Sequence, residues 1–456
     1  MKIERVGLRN FKGFKDAVFD LGQVTLLTGK NSSGKSSVLQ GLLLPFQSFG
    51  FPFELSPNGQ YASMGDFKEI SHGRNLRNHL GIDIVLTDNQ DDRYDISTSW
   101  VHDRLTSSAA LSRLTATSPL VRLRVSRLAK TGMYKLDLKL NRRAYRTSGD
   151  FWAARAASQM LRNAAAHARD ISPGGKVAKR EIAKMASQVL KVGDINALRV
   201  NRVRDVYDRI GHSSHPGSVS FVRDIVGTIH ALNERMNYVS SFRNPPDRTY
   251  NRQTIADMKV GRFGERAIDQ MLDWDTHSHK SSVRLRKILR DLSLARIIKT
   301  TRLPGGQFEV RARPFAKGTM SALPDIGFGV SQVLPVLVAD LQLPPKSVLV
   351  LSQPEMHLHP SAQAALADYF VAGIAKDERQ YVIETHSEYL INRLRLAIST
   401  GRLDPARLVT YYLQYDPGGT TVHRIAFTKD GKVEGAPQDF FDTYMMDVMD
   451  IALASE

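Results

Sequence analysis

The 456-residue chain contains no cysteine and no long apolar run. Without cysteine it can form no disulfide, thiolate metal site or cysteine nucleophile, so histidines and carboxylates are the only strong metal ligands left. A membrane-spanning helix needs roughly 18 consecutive apolar residues, and the sequence has no such run. The N-terminus alternates charged and apolar residues and lacks the basic-then-apolar plan of a secretory signal. We therefore expect a cytoplasmic protein with no membrane partner.

Acidic residues are scarce in the middle of the chain. Residues 101–300 hold 38 Lys and Arg against 17 Asp and Glu, an excess of 21 positive charges. Residues 1–100 balance at 11 and 11, and residues 301–456 hold 14 basic against 18 acidic. Concentrated positive charge favours an anionic partner, of which nucleic acid is the commonest. The alternative is a solvated basic surface that only aids solubility.

Hydrophobic periodicity predicts two kinds of structure in this basic part. Period-two alternation around a Lys-Thr-Gly turn predicts a hairpin with one basic face. Its apolar positions are Leu123, Val125, Leu128, Leu136, Leu138 and Leu140, and its charged positions are Arg122, Arg124, Arg127, Lys135, Asp137 and Lys139. Residues 151–235 are rich in Ala and Arg with helical periodicity but no sustained heptads, which predicts short helices rather than a coiled-coil arm.

The two ends of the chain are predicted to alternate strands with helices. The predicted strands are 2–8, 24–28, 347–351 and 381–384; the predicted helices are 36–43, stopping at Pro45, 333–341, 362–374 and 388–398; and a closing hairpin pairs 408–415 with 422–427. Buried parallel strands separated by helices indicate an α/β fold with a mostly parallel sheet.

A glycine-rich segment between an apolar strand and a helix matches the pattern G-x-x-x-x-G-K-[ST]. Its residues are Gly29, Lys30, Asn31, Ser32, Ser33, Gly34, Lys35, Ser36 and Ser37. Glycines let the backbone approach phosphate, and amides at the following helix N-terminus supply partial positive charge. Lys35 would reach the β and γ phosphates, and the Ser36 hydroxyl would ligate Mg²⁺. The sequence thus predicts ATP and Mg²⁺ as cofactors, against the alternative of an ordinary Gly-Ser turn.

Four short segments later in the chain also carry residues of functional interest. They are the turn Gly327-Phe328-Gly329-Val330-Ser331-Gln332, the strand end Ser352-Gln353-Pro354-Glu355, the segment His357-Leu358-His359-Pro360 and the strand end Glu384-Thr385-His386-Ser387. With Leu8 to Phe14 and the glycine-rich segment, this order resembles the ABC-class ATPase head shared by SMC, RecF and OLD proteins. It is most similar to small bacterial OLD-like AAA-type ATPases without a Toprim nuclease.

The resemblance implies a division of the chain and roles for its residues. Residues 1–100 and 301–456 would form the two lobes of the head, with an antiparallel β-subdomain, and 101–300 a largely helical basic insertion. The ABC signature, which caps ATP held by another subunit of a homodimer or larger assembly, would comprise Gly327, Gly329, Ser331 and Gln332. His386 would be the switch histidine, which stabilises charge at the γ-phosphate. His357 and His359 would lie in the loop facing the other subunit, which disfavours a histidine metal pair.

The chain departs from the resembled pattern at the strand end that normally carries two acids. Ser352 stands where an acidic residue holds magnesium through water, and Gln353 where a carboxylate polarises the attacking water. A neutral side chain can orient a water but cannot take its proton. Glu355 is the carboxylate left in this string, and we interpret it as the substitute base. Slow ATP hydrolysis is expected.

Three functions are consistent with these features. The first is an ATPase whose ATP-dependent head association switches a partner nuclease or toxin in antiviral defence. The second is a RecF- or SMC-like repair ATPase whose basic middle binds DNA. The third is an ATP-binding scaffold with little or no hydrolysis.

Overall fold

The fold is described from a computed structural model for residues 1–118, 121–128, 134–140, 195–200, 216–251, 259–416, 419–437 and 440. Across these ranges, no helix combines the length and the apolar character that a membrane span requires. The stretch 151–235, predicted to be helical, falls mostly outside them: its described end is a helix at Pro216–Glu234, but Ile195–Val200 is a strand, so the prediction is wrong there.

The elements alternate in type along both ends of the chain. The strands are β1 (Lys2–Phe11), β2 (Phe14–Asp20), β3 (Val24–Gly29), β4 (Leu80–Thr87), β5 (Arg93–His102), β6 (Ala109–Thr117), β7 (Val121–Arg127), β8 (Tyr134–Leu140), β9 (Ile195–Val200), β10 (Met236–Val239), β11 (Tyr250–Asn251), β12 (Ile297–Arg302), β13 (Gln307–Arg313), β14 (Ser321–Ala322), β15 (Val348–Ser352), β16 (Gln380–Glu384), β17 (Leu408–Asp416), β18 (Gly419–Phe427) and β19 (Val433–Glu434). The helices are α1 (Lys35–Gln47), α2 (Phe67–Ile70), α3 (Pro216–Glu234), α4 (Ala267–Thr276), α5 (Lys280–Asp291), α6 (Phe328–Gln342), α7 (Pro360–Asp377) and α8 (Glu388–Ser399).

A sheet of seven strands lies at the centre, in the order β10-β15-β16-β3-β17-β18-β19. The first five strands are parallel, and the last two add antiparallel pairs. Every residue of β3, β15 and β16 is buried. The predicted mostly parallel sheet and the closing hairpin, β17 with β18, are confirmed. Strand β16 lies between β15 and β3, an order that is not apparent from the sequence.

A second sheet of eight strands, in the order β2-β1-β4-β5-β6-β7-β8-β9, is antiparallel throughout. It contains the predicted hairpin, in which Arg122 pairs with Lys139 and Arg124 with Asp137. Both arginines are exposed. The prediction is wrong for Arg127, because two-residue alternation places it on the face of Val125 at the strand end.

Two hydrophobic cores cover the opposite faces of the central sheet. One core joins it to the eight-stranded sheet, α1 and α3, and contains Leu27 and Val350. The other joins it to α4 through α8 and contains Leu26 and Leu351. Neighbouring residues of one strand thus enter different cores, as expected for a strand buried on both faces. A small sheet, β11-β13-β12 with β14 on β13, borders the second core.

The sequence predicted that the first helix stops at Pro45, and this prediction is wrong. Helix α1 continues through Pro45 to Gln47. Proline keeps a helical φ and removes only the hydrogen bond that its own N–H would donate, and Pro45 stands two residues before the end of α1, so little helix follows it. Helix α6 likewise contains Pro335.

The three-part division of the chain stays a prediction. The proposed boundary at residue 100 falls within β5, which pairs with β6 beyond it. The boundary at residue 300 falls within β12, and β10, from the proposed insertion, is a strand of the central sheet.

Candidate nucleotide-binding site

Three parallel strands, β3, β15 and β16, end side by side at one edge of the central sheet. Ligands of parallel α/β sheets bind at this carboxyl edge. The loop after β3 begins at Gly29 (φ 130°) and reaches α1 through Gly34 (φ 101°), two conformations that favour glycine. A Cβ on Gly29 would lie 2.0 Å from the carbonyl oxygen of Leu413 in β17. The glycines therefore let the backbone wrap tightly toward α1, whose N-terminus has no side-chain cap and can accept an anion.

The Lys35 side chain folds back onto this loop. Its Nζ donates to the carbonyl oxygens of Gly29 at 2.9 Å and Lys30 at 2.6 Å, and the residue is buried. Burial lowers the pKa of the Lys35 ammonium, and the Glu384 charge opposes that shift. A buried ammonium held only by carbonyl oxygens is available to a stronger anionic partner. In the same loop the Ser33 hydroxyl is buried and has no hydrogen-bond partner among the described residues.

Glu384, at the end of β16, joins the loop to the end of β15. Its Oε1 accepts a 2.8 Å hydrogen bond from the Ser36 hydroxyl, and its Oε2 accepts one of 2.8 Å from the Ser352 hydroxyl. Glu384 is buried, whereas Ser36 is exposed. Sequence reasoning did not select this carboxylate. The available signal was its position two residues before His386, at the end of an apolar strand.

Glu355 is also buried, against the residues that follow β16. Its Oε1 accepts 2.7 Å and 3.0 Å hydrogen bonds from the Thr385 hydroxyl and the His386 amide. Its Oε2 is buried and has no partner among the described residues. Burial raises the pKa of the Glu355 carboxyl, against the effect of these hydrogen bonds and the Arg243 charge. A raised pKa and an unpaired oxygen are properties expected of a general base.

His386 is exposed at the carboxyl edge of the sheet, while its two neighbours are buried. Partial burial and then the Lys35 charge lower the pKa of the His386 imidazole, which favours the neutral ring. Thr385 positions Glu355, and the Ser387 hydroxyl caps α8 by accepting from the Leu390 amide at 3.0 Å. Thr385 and Ser387 therefore have structural partners, and of this string His386 is the side chain free to face a nucleotide.

The predicted signature turn forms the N-terminus of α6. Ser331 is only 6% exposed, and its hydroxyl donates to the Phe328 carbonyl oxygen at 2.9 Å. Gln332 is buried as well. Gly327 and Phe328 are exposed, and the helix has no side-chain cap. The backbone amides at 327–329, rather than the Ser331 hydroxyl, are thus the groups presented to the outside.

The two predicted loop histidines have different surroundings. His359 is the N-cap of α7, where its Nδ1 accepts from the Ser361 amide at 3.3 Å. The exposed His357 ring lies 5.9 Å, between centroids, from the Phe328 ring. The described residues contain no cluster of three or more His, Asp or Glu suited to a metal ion. His357 instead places its loop beside the signature turn.

Arg243, in the loop after β10, bridges two parts of the site. Its guanidinium donates to the carbonyl oxygens of Gln332 in α6 at 3.1 Å, Ser352 at 3.1 Å and Gln353 at 2.8 Å. Burial lowers its pKa to about 10, and the Glu355 charge opposes that shift. Arg243 thereby fixes the end of β15 relative to the signature helix. Arg243 could not be assigned a role from the sequence, because its partners are backbone oxygens that carry no sequence signal.

These residues fit a phosphate ligand with a hard cation. The loop offers uncapped helix amides and a buried ammonium, and Ser36 and Glu384 offer oxygen atoms at its open end. Magnesium in nucleotide sites is held by one or two carboxylates together with phosphate oxygens and waters rather than by an all-protein cage.

Two family models match the chain. Residues 1–110 match one described as an AAA ATPase domain. Residues 257–392 match one described as an AAA domain, putative AbiEii toxin, Type IV TA system. The first match contains the phosphate loop, and the second contains the signature turn and the ends of β15 and β16. The predicted ATPase is confirmed at the level of an AAA-type ATPase, while the closer likeness to OLD-like proteins stays a prediction.

Solved structures give a more distant likeness. The SMC head domain from Thermotoga maritima is 12% identical with a TM-score of 0.38, over 93% of this chain and 99% of that one. The Smc head domain with an extended coiled coil bound to the C-terminal domain of ScpA, from Pyrococcus furiosus, is 11% identical with a TM-score of 0.36, over 99% of both chains. No curated protein matches the chain. The architecture therefore rests on the strand order of this molecule.

Proposed function

We propose that the chain binds Mg·ATP in its phosphate loop and that ATP brings two heads together to switch a partner nuclease or toxin in bacterial defence against phage. The observation that carries the proposal is a pair of helix N-termini without side-chain caps, α1 behind Gly34 and α6 behind Gly327. One triphosphate can be held between the first terminus of one copy and the second terminus of another. The defence role is supported by the name of the matched family, putative AbiEii toxin.

Hydrolysis in this proposal is slow. Ser352 and Gln353 are neutral, so neither can take a proton from water. The Gln353 backbone amide donates to the Glu384 carbonyl oxygen at 2.7 Å, which fixes its backbone, and its side chain orients the water. Glu355 is the proton acceptor, and His386 donates to the γ-phosphate. A scaffold that binds ATP without turning it over is the alternative outcome.

The surface position of Phe328 provides a test of head association. Phe328 is 62% exposed at the first position of α6. Phe328→Glu places a negative charge beside the expected γ-phosphate of the other subunit, yet a carboxylate at a helix N-terminus does not harm the fold. Phe49→Glu is the matched control, since Phe49 is 85% exposed and lies beyond α1, about 20 Å from the loop by helix rise.

Sedimentation velocity with and without Mg·ATP measures the outcome. The wild type and Phe49→Glu should form dimers or larger assemblies with Mg·ATP, and Phe328→Glu should sediment as the monomer. Equal ATP-dependent assembly of Phe328→Glu and the wild type would contradict a composite site.

A basic cleft favours a second candidate function, nucleic-acid binding by a RecF- or SMC-like ATPase. The cleft lies between α5 and β12 and has a volume of about 450 Å³. Its basic lining consists of Arg286, Arg290, Arg296, Lys299 and Arg302. Arg286 is paired with Asp275 at 2.6 Å, and the other four are exposed. Such a surface suits a phosphate backbone and requires no base sequence.

Fluorescence anisotropy with labelled duplex and single-stranded DNA tests this function. Phosphate-driven affinity should fall by about 0.9 log units per contacted phosphate for each log unit of salt, measured between about 50 mM and about 200 mM. Arg290→Ala with Lys299→Ala should reduce both affinity and salt slope, whereas the control pair Lys15→Ala with Lys68→Ala should not. Absence of binding at the lower salt would favour a protein effector as the partner of the basic region.

A further inference from the structure

The carboxylate nearest the phosphate loop belongs to a strand that the sequence pattern does not associate with magnesium. In the resembled ATPases the acid that serves the metal ends the strand equivalent to β15, and here that position is Ser352. Glu384, at the end of β16, occupies the space between Ser352 and Ser36, 2.8 Å from each hydroxyl. Among the described residues, Glu384 is the carboxylate that contacts the loop.

Strand order explains how the two positions can exchange roles. Ser352 and Glu384 are direct partners in the parallel pairing of β15 with β16, and Glu384 is also the partner of Leu27 in β3. Strand β16 therefore ends between β15 and the start of the phosphate loop. A side chain as long as glutamate can reach Ser36 from there, because one strand separation is about 4.8 Å.

We propose that Glu384 is the carboxylate that holds the magnesium of bound Mg·ATP, and that Ser352 is a positioning residue that orients it. The inference rests on the proposed ATP binding. It assigns the Glu384 oxygen now accepting from Ser36 to the cation, directly or through a water, beside the Ser36 hydroxyl. The Ser352 hydroxyl donates a hydrogen bond to the other carboxylate oxygen and thereby restricts the Glu384 side chain to one orientation.

The separate position of Glu355 is consistent with this assignment. Its carboxylate is held by Thr385 and the His386 amide, and Arg243 lies beside it. Glu384 has different partners, the hydroxyls of Ser36 and Ser352. The site thus has one acid for the cation and a second acid for the water.

The inference changes what an acid at position 352 should do. Ser352→Asp alone would set two buried carboxylates next to each other, and like charges in a buried site repel. In Ser352→Asp with Glu384→Ser the hydroxyl and the carboxylate exchange strands, so one acid and its hydrogen-bond donor are kept. The double variant should therefore bind magnesium more tightly than either single variant.

The experiment is a titration of a fluorescent ATP analogue with the purified chain, in EDTA and over a range of magnesium concentrations. All variants should bind the analogue in EDTA, because Lys35 and the loop are intact. Glu384→Gln should weaken the apparent magnesium affinity by about 100-fold and Ser352→Ala by about tenfold, the range for loss of a metal ligand's supporting group. Glu388→Gln, an acid in the first turn of α8, is the matched control and should behave as the wild type.

A second readout measures the cation itself. Electron paramagnetic resonance of Mn²⁺ with the nucleotide-bound protein should show loss of bound Mn²⁺ in Glu384→Gln and recovery in the Ser352→Asp, Glu384→Ser double variant. Unchanged metal affinity in Glu384→Gln, with a thermal midpoint equal to that of the wild type, would overturn the assignment. No wild-type binding of the analogue under either condition would instead overturn the proposed ATP binding, and this inference with it.

Discussion

The buried carboxylate of Glu355 accepts a 3.0 Å hydrogen bond from the backbone amide of His386. This bond connects the loop after β15 to the loop after β16, so the proposed base and the proposed switch histidine form one unit. Movement of His386 toward a γ-phosphate would therefore change the environment of Glu355.

Glu355→Gln should abolish hydrolysis and preserve ATP binding. Loss of a general base costs about 100-fold or more in turnover. Burial raises the Glu355 pKa, and glutamine keeps the size of the side chain and its hydrogen-bond acceptor without the charge that burial disfavours. Phosphate release and binding of a fluorescent ATP analogue measure the two effects. Turnover that survives the substitution would exclude Glu355 as the base.

The same substitution should change how stability depends on pH. A carboxyl with a raised folded-state pKa binds its proton more readily in the folded chain than in the unfolded chain. Its contribution to stability is present below pH 4.5 and is lost as pH rises through the folded-state pKa. The unfolding midpoint of Glu355→Gln should therefore exceed that of the wild type by an amount that grows above pH 4.5 and then levels off. A difference that is constant with pH would show that the carboxyl is not perturbed.

Lys35→Ala should remove ATP binding and leave the fold intact. The ammonium is buried and bonded only to the carbonyl oxygens of Gly29 and Lys30, so its loss removes little that the folded chain depends on. Isothermal titration calorimetry should show no heat with Mg·ATP, while the thermal midpoint stays near that of the wild type. Lys15→Ala, which removes an exposed lysine of β2, is the control and should bind ATP normally. ATP affinity equal to that of the wild type in Lys35→Ala would refute the loop assignment.

Arg243→Lys should destabilise the chain and weaken the link between the two halves of the site. A lysine cannot span the carbonyl oxygens of Gln332, Ser352 and Gln353, and each buried group left unpaired costs about 1–3 kcal/mol. We expect a loss of at least about 2 kcal/mol in urea unfolding, and ATP binding without ATP-dependent association. A free energy of unfolding equal to that of the wild type in Arg243→Lys would mean that one hydrogen bond from the lysine is enough to hold the three carbonyl groups in place.

Gly29→Ala should unfold the loop through a backbone clash. The new Cβ would lie 2.0 Å from the Leu413 carbonyl oxygen, and β3 would have to move away from β17. Gly305→Ala separates this effect from the cost of a positive φ. Gly305 has φ 78° with no atom within 4 Å of an added Cβ, so its replacement should cost only about 1 kcal/mol. Equal unfolding midpoints for the two variants would show that the loop can relax.

The sequence predicted local features well, because each depends on residues close together in the chain. The strand 24–28, the glycine-rich loop and the helix after it follow from spacing alone, and the structure places them at β3 and α1. Glu384 and Arg243 were not predicted to act in the site. Their roles depend on the order of the strands in the sheet. The sequence shows that β16 follows β15 along the chain, but it does not show that β16 lies between β15 and β3 in the sheet.

Burial separated residues that the motifs had grouped together. Ser331 and Gly327 belong to one string, yet only Gly327 is exposed. Thr385 and His386 are adjacent, yet the first supports Glu355 and the second faces outward. A motif specifies residue types and spacing, whereas the packing of α6 and β16 decides which of them reach a ligand.

The direct pairing of Ser352 with Glu384 has a consequence for the divergence of related chains. If the proposed magnesium site is right, the acid of the site can stand at either of these two paired positions in different homologues. The intermediate with two acids would suffer repulsion, and the intermediate with none would lose the cation. We expect homologues to fall into two groups, with an acid at the position of Ser352 and a small neutral residue at that of Glu384, or the reverse, and few chains with both or neither.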